Sequence, residues 1–367
     1  MYGMSMGTRI RRSPYFEATK AAGVTSFTTY NQMLMPTSYG DPQAEYRRLT
    51  QGVAMWDVAV ERQIALTGPD ALRLAQAICV RDMGKVVPGQ GKYVAMCDHR
   101  GVLINDPVLL LHEDGEVWLS IADSDVVLWA RAVAAERYFD VEVREARIAP
   151  LAIQGPKAME VAEALLGAWV RELKHFAFRP ARVDGIEVIV ARSGWSKQGG
   201  VELYLADPDR GTDLWNRVAE AGAPFEIGPG APNPSERIES GLLSYGADTD
   251  DATTPHEVRM GKFLDLEVEA DVIGLAALQR EAREGARRHQ IGVVFASGGP
   301  EHHDRWLRLF NDAGKVGHVT SSAPSPKMGC AIGLALVRRD VEPGTELHVE
   351  LEDGRRVPVA TRELPFF

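Results

Sequence analysis

Two carboxylates are placed where they could act on a ligand. Glu202 lies in "ARSGWSKQGGVELYL" (191–205), which ends as a strand with Val201, Leu203 and Tyr204 around the acid. A Trp, a Lys and the glycine pair Gly199–Gly200 precede it. The glycines, lacking Cβ, would let backbone come close to something flat or charged. A hairpin turn with an exposed Glu accounts for the stretch better by itself, and the stretch alone does not overturn that reading. Asp106 sits in "INDPV", where the common reading is a turn Asp before proline.

Other chemistries lack their residues. There is no G-x-x-x-x-G-K-[ST] loop for phosphates. "GQGKYV" begins like a dinucleotide fingerprint but lacks the third glycine and the strand–turn–helix setting. "ARSGWS" is not a G-x-S-x-G nucleophile elbow. His302-His303 and the Cys97-x-His99 pair have no second ligand pair at zinc-like spacing, so no metal is expected. Three scattered cysteines, Cys79, Cys97 and Cys330, make no disulfide framework, and a reducing cytoplasm is expected. A net charge of −10 argues against a nucleic-acid partner. No apolar run approaches the ~18 residues that span a bilayer, so no membrane partner is expected. The basic N-terminal stretch "MYGMSMGTRIRRSPYFEATK" has no apolar region behind it and reads as a ragged arm rather than a secretory signal. The sequence gives no oligomeric state.

The elements that must carry these residues form a repeated plan. "RQIALTGPDALRLAQAI" (62–78) and "APLAIQGPKAMEVAEALLG" (149–167) each give an alternating strand, a Gly-Pro turn and a helix. Between them lie strand candidates "KYVAMCD", "VLINDPVLLLH" and "EVWLSIA", then a helix in "SDVVLWARAVAAERYF" with Ser124 or Asp123 as N-cap. "IEVIVAR" and "GVELYLA" form a second strand group, followed by a helix near "GTDLWNRVAEAG". After Gly285 short strands with turn signals predict a small β-barrel or sandwich. The expectation is an α+β chain with a first region over 1–280 and a C-terminal β domain over 281–367.

Several stretches together resemble one family: "LINDPVLLL", "SGWSKQGGVELYL", "ERIESGLLSYGADTD", "DVIGLAALQRE" and "GKVGHVTSSAPSPKMGCAIGLALV". They are similar, in order and spacing from about Tyr30 to the end, to the folate-dependent aminomethyltransferases, the T-protein of glycine cleavage and its relatives. "TYNQMLMPT", "MWDVAVERQ" and "SIADSDVVLW" further resemble the dimethylsulfoniopropionate (DMSP) demethylases within that family. Gln32, Ala59, "FAFRPARVDG" and "GPGAPNPSER" depart from the demethylase pattern.

The resemblance implies a cloverleaf of three subdomains with a C-terminal small barrel, binding tetrahydrofolate in a central channel. It matches Glu202 to the carboxylate that grips the pterin, with Gly199, Gly200, Tyr204 and Tyr93 beside the cofactor. It matches Asp106 to the catalytic aspartate, which orients the folate and stabilises positive charge developing there. The implied partner is a small-molecule methyl donor. A sulfonium donor favours aromatic faces, for which Trp195 and Tyr30 lead, ahead of Trp56 and Tyr245; Trp56 in "MWDVAV" also reads as core. Lys197 and Ser120 are the candidates for a donor carboxylate. Folate-dependent demethylation of another betaine or methoxy compound stands as an alternative, as does a glycine-cleavage aminomethyltransferase. "KQGGVE" replaces the acidic "EDGFE"-like stretch of the latter. A non-catalytic folate-binding protein is a further reading, whose cysteine-containing signature is absent here.

Overall fold

The computed structural model describes residues 7–300, 303 and 305–367. They form two compact units that do not follow chain order. The first takes in the chain to Leu74, Lys85–Lys92 and Pro107–Pro232; the second takes in Ala75–Gly84, Tyr93–Asp106 and Asn233–Phe367.

The first unit is built on two sheets. In one, Glu142–Glu145, Gln63–Thr67, Val117–Ser120 and Val108–Leu111 pair antiparallel in that order. In the other, Phe178–Val183, Ile186–Ala191, Gly200–Leu205, Ala149–Gln154 and Ala54–Asp57 run antiparallel, and Gly228–Gly230 adds a parallel edge. Every residue of Gly200–Leu205 is buried, because the strand is covered on both faces. Val201, Leu203 and Leu205 pack with Leu151, Ile153 and Leu214. Tyr204 faces the other way, among Ala65, Leu110, Trp118 and Phe178.

Both copies of the repeated plan fold as strand, turn and helix: Gln63–Thr67 into Ala71–Ile78, and Ala149–Gln154 into Ala158–Leu166. The turn glycines Gly68 and Gly155 sit at φ +130° and +128°, where a side chain is strained.

The second unit contains a closed barrel of six strands, in the order Arg288–Phe295, Cys330–Arg338, Gly314–Ser325, Leu307–Asn311, Glu346–Glu350 and Arg356–Arg362. Val293, Leu309, Val319, Leu347 and Val359 fill it. The helix Pro234–Glu239 is capped by Asn233, which accepts from the Glu236 N–H at 3.0 Å. Its Arg237 reaches buried Asp248 at 2.6 Å, and Asp248 also accepts from Thr320 (2.7 Å) and Ser321 (2.6 Å) of the barrel.

Three expectations are corrected. The N-terminal stretch is not a loose arm where it is described: residues 16–21 are helical, and Tyr15 is fully buried with its hydroxyl donating to the Ala149 carbonyl at 2.8 Å. Arg11 also pairs with Glu145 at 2.7 Å. Residues 1–6 of that stretch, and His302, lie outside the described residues. The helix Val126–Glu136 has Asp125, not Ser124 or Asp123, at its cap position, without a side-chain bond. Asp123 is engaged elsewhere, accepting from the Asn31 N–H at 3.0 Å. "VLINDPVLLLH" is two strands, Leu103–Asn105 and Val108–Leu111, because Pro107 has no N–H to continue a ladder. Among the described residues no helix is long and apolar enough to cross a membrane.

Asp57, at the end of Ala54–Asp57, is buried and accepts from Ser13 Oγ at 2.5 Å and the Ala59 N–H at 3.2 Å. Burial outweighs both bonds and lifts its carboxyl to about 6. The folded chain therefore holds this proton to higher pH than the unfolded chain does. The stabilisation is complete below the unfolded value near 4 and is lost as pH rises through 6, a change of about 2–3 kcal/mol. Urea unfolding of Asp57→Asn is expected to lack this decline between pH 4 and 7; an unchanged pH profile would show that another group causes it.

Candidate functional site

In the first unit hydroxyl donors converge on Glu202. Gln63 Nε2 donates to Ser120 Oγ at 2.8 Å, and the Ser120 hydroxyl near Tyr204 favours that phenol's ionised form. Tyr204 donates to Glu202 Oε2 at 3.2 Å, and Ser193 Oγ donates to the same oxygen. The strands fix these positions. Gln63 and Ser120 are directly opposed across one sheet, and Glu202 and Tyr204 are two apart on one strand face. Glu202 is 5% exposed. Desolvation raises its carboxyl above the usual range, while the Ser193 and Tyr204 hydroxyls pull the other way. Burial raises Tyr204 well above its ordinary value as well, reinforced by the Glu202 charge.

Both hydroxyls use Oε2, so Glu202 Oε1 has no protein donor among the described residues. An acceptor left open in this way suits a ligand that presents N–H groups. Ser120 is buried on its strand and accepts from Gln63 Nε2.

Gly199 and Gly200 differ in kind. A Cβ on Gly200, at φ +151°, would lie 2.1 Å from the Ile153 carbonyl oxygen and 2.6 Å from Gln154 Nε2. Gly199, at φ +80°, has open space around it. Gln154 holds the preceding loop, donating to the Ser193 carbonyl at 3.1 Å and accepting from Ser196 Oγ at 2.7 Å. Trp195 is half-buried and Lys197 exposed in that loop. Tyr30 ends the strand Ser26–Tyr30 of a hairpin whose two turn residues, Asn31 and Gln32, have φ +48° and +59°. Asn31 Nδ2 ties this turn to the carbonyls of Val60 (3.0 Å) and of Ile121 (3.2 Å), which follows Ser120.

In the second unit, Asp106 Oδ2 accepts from the Tyr93 hydroxyl at 2.6 Å. Tyr93 packs edge-on against Phe263, with ring centroids 4.9 Å apart, and its hydroxyl lies 4.0 Å from Met260 sulfur. Asp106 is recessed while retaining a solvent-accessible face. Desolvation lifts it to about 7, against the stabilising Tyr93 bond. A carboxyl poised there exchanges a proton near neutral pH and favours positive charge beside it. Tyr245 packs in the same apolar cluster as Tyr93, whereas Trp56 is a core residue, 1% exposed. Among the described residues no group of three His, Cys, Asp or Glu side chains could hold a metal.

Sequence reasoning missed Ser193, Gln63 and Asn31. Ser193 stands in "ARSGWS", considered only as a nucleophile elbow. Gln63 and Asn31 act through strand register and a loop contact that spacing does not reveal.

Comparison with known proteins shows the family and the fold. The GCVT N-terminal domain family matches residues 15–268, and the glycine cleavage T-protein C-terminal barrel domain family matches 288–367. The dimethylsulfoniopropionate demethylase DmdA of Ruegeria pomeroyi is 42% identical over 356 residues, 97% of each chain. The aminomethyltransferase of Rubrobacter xylanophilus is 31% identical, over 100% of this chain and 96% of its own. A crystal structure of the glycine cleavage aminomethyltransferase T of Bartonella henselae shares the fold, with a TM-score of 0.85 and 22% identity over 98% of both chains.

The two glycines separate packing from conformation. Gly200→Ala drives a Cβ into backbone and is expected to cost about 3 kcal/mol or more, whereas Gly199→Ala bears only left-handed backbone strain, about 1 kcal/mol. Denaturant unfolding of both variants checks this, and equal losses would refute the assigned clash.

Proposed function

The chain belongs to the glycine cleavage T-protein family of tetrahydrofolate-dependent, methyl-transferring enzymes, and we propose that its methyl donor is dimethylsulfoniopropionate. The observation that carries this reading is the 42% identity to a DMSP demethylase over 97% of both chains. The products are methylmercaptopropionate and 5-methyltetrahydrofolate.

Bound tetrahydrofolate supplies the N5 lone pair that accepts the methyl group. A sulfonium methyl is already activated, since its sulfur leaves neutral, so the protein mainly has to align, desolvate and manage charge. Glu202 fits the pterin because Oε1 accepts from no protein donor among the described residues, while Oε2 is fixed by Ser193 and Tyr204. Gly199, with open space at its α-carbon, lets a flat ring approach. Gly200 and Tyr204 hold the strand and the carboxylate in place. Asp106, near 7, favours the positive charge that develops on methyl transfer and can take up a proton at its carboxylate; Tyr93 sets its orientation.

Trp195 and Tyr30 are the proposed aromatic contacts for the sulfonium, each such contact contributing about 0.5–2 kcal/mol. Lys197 and Ser120 are the proposed partners of the donor carboxylate. Three cysteines without disulfide partners support a cytoplasmic location. Nucleic-acid and membrane partners are not part of the proposal.

Anaerobic incubation with tetrahydrofolate and DMSP, followed by chromatography, is expected to yield 5-methyltetrahydrofolate. Asp106→Ala should lower turnover by about a hundredfold or more. Folate binding without product from DMSP would overturn the donor assignment and call for a panel of betaines and methoxy compounds. The pH profile gives a second check. If ionised Asp106 is the active form, kcat/KM rises with pH through about 7. Tyr93→Phe removes a bond that favours the carboxylate, so the rising limb should move to higher pH. A limb that stays in place would mean that it belongs to another group.

A further inference from the structure

A cleft of about 550 Å³ in the first unit runs from Ser193, Gly199 and Gly200 of the proposed folate site to side chains that the reaction scheme does not use. Lys174, His175 and Arg192 line it, together with the polar side chains of Gln154, Ser196 and Gln198. No Asp or Glu is among its lining residues, although the chain carries a net charge of −10. Lys174 and Arg192 have no carboxylate partner among the described residues; the Arg192 guanidinium donates instead to the Leu173 carbonyl at 2.8 Å.

The wall bearing these cations is fixed by backbone bonds. Phe176 N–H donates to the Arg192 carbonyl and Arg192 N–H to the Ala177 carbonyl, each at 2.9 Å. Phe176 is held at φ +61°, a conformation that costs a non-glycine residue energy and persists only where surroundings enforce it. The local field agrees with the geometry. His175 lies below its usual range, first through burial and then through the Arg192 and Lys197 charges.

We propose that this cleft is an anion-binding site for a ligand carrying two or more carboxylate or phosphate groups. Clustered cations without counter-charges repel one another, and a multiply charged anion relieves that repulsion at several points at once. A single carboxylate at so open a place gains little against water and salt. Two sources share the required chemistry: a free polycarboxylate, or the acidic tail of a folate bound through Glu202. Only the second rests on the folate reading.

Calorimetric titration of the full chain with citrate tests the site without folate. Saturable binding is expected, weakened at least tenfold in Lys174→Gln/His175→Gln, with Arg192 kept because it holds the Leu173 carbonyl. In the second arm, tetrahydrofolate bearing three γ-linked glutamates is compared with the monoglutamate. If the tail is the ligand, the longer form binds more tightly, citrate competes, and the double variant erases the difference. Citrate binding that ignores folate tail length identifies a free anion. Absence of both effects, or equal effects in the double variant, overturns the proposal, and Asp106-dependent turnover in the same preparation keeps that failure separate from a failure of the folate reading.

Discussion

Burying Glu202 is the constraint on which the first unit is organised. A carboxylate taken out of water destabilises the fold unless hydrogen-bond donors are brought to it. Ser193 and Tyr204 supply them to one oxygen only. A structural carboxylate would gain from having both oxygens satisfied, and the half that is left open is what a ligand with N–H groups can complete.

The elements around Glu202 read as supports for that arrangement. Strand register opposes Gln63 to Ser120 and places Tyr204 two residues beyond Glu202, so these positions are determined by pairing rather than by flexible side chains. Gly200 permits the close approach of the Ile153 carbonyl. The Asn31–Gln32 turn is held in left-handed backbone by bonds from Asn31 to Val60 and Ile121. Residues 11–15, with no obvious role by sequence, are tied down through Glu145, Asp57 and Ala149.

Asp106 shows the same physics with a different result. It has a single side-chain donor, Tyr93, and keeps a solvent-accessible face, so desolvation leaves it near 7 instead of fully committing it to either form. A group there changes charge readily near neutral pH. Pro107 contributes by ending the ladder, so that the strands on either side stop short of Asp106.

The sequence by itself determined the α+β character, the paired strand–turn–helix segments, the β-rich C-terminal part and the family. These are legible because apolar periodicity and Gly-Pro turns are local, and because "SGWSKQGGVELYL" and "INDPV" carry their chemistry in contiguous residues. Whether Glu202 was exposed or buried was not legible, since a strand residue's environment depends on what covers that face. Only the tertiary structure decided that, and with it that Ser193 and Tyr204 share one oxygen of Glu202. It also decided that Asp123 serves the Asn31 turn rather than a helix cap, and that Lys174, His175 and Arg192 share an acid-free cleft. Each of these depends on contacts between segments far apart in the chain, where spacing carries no information.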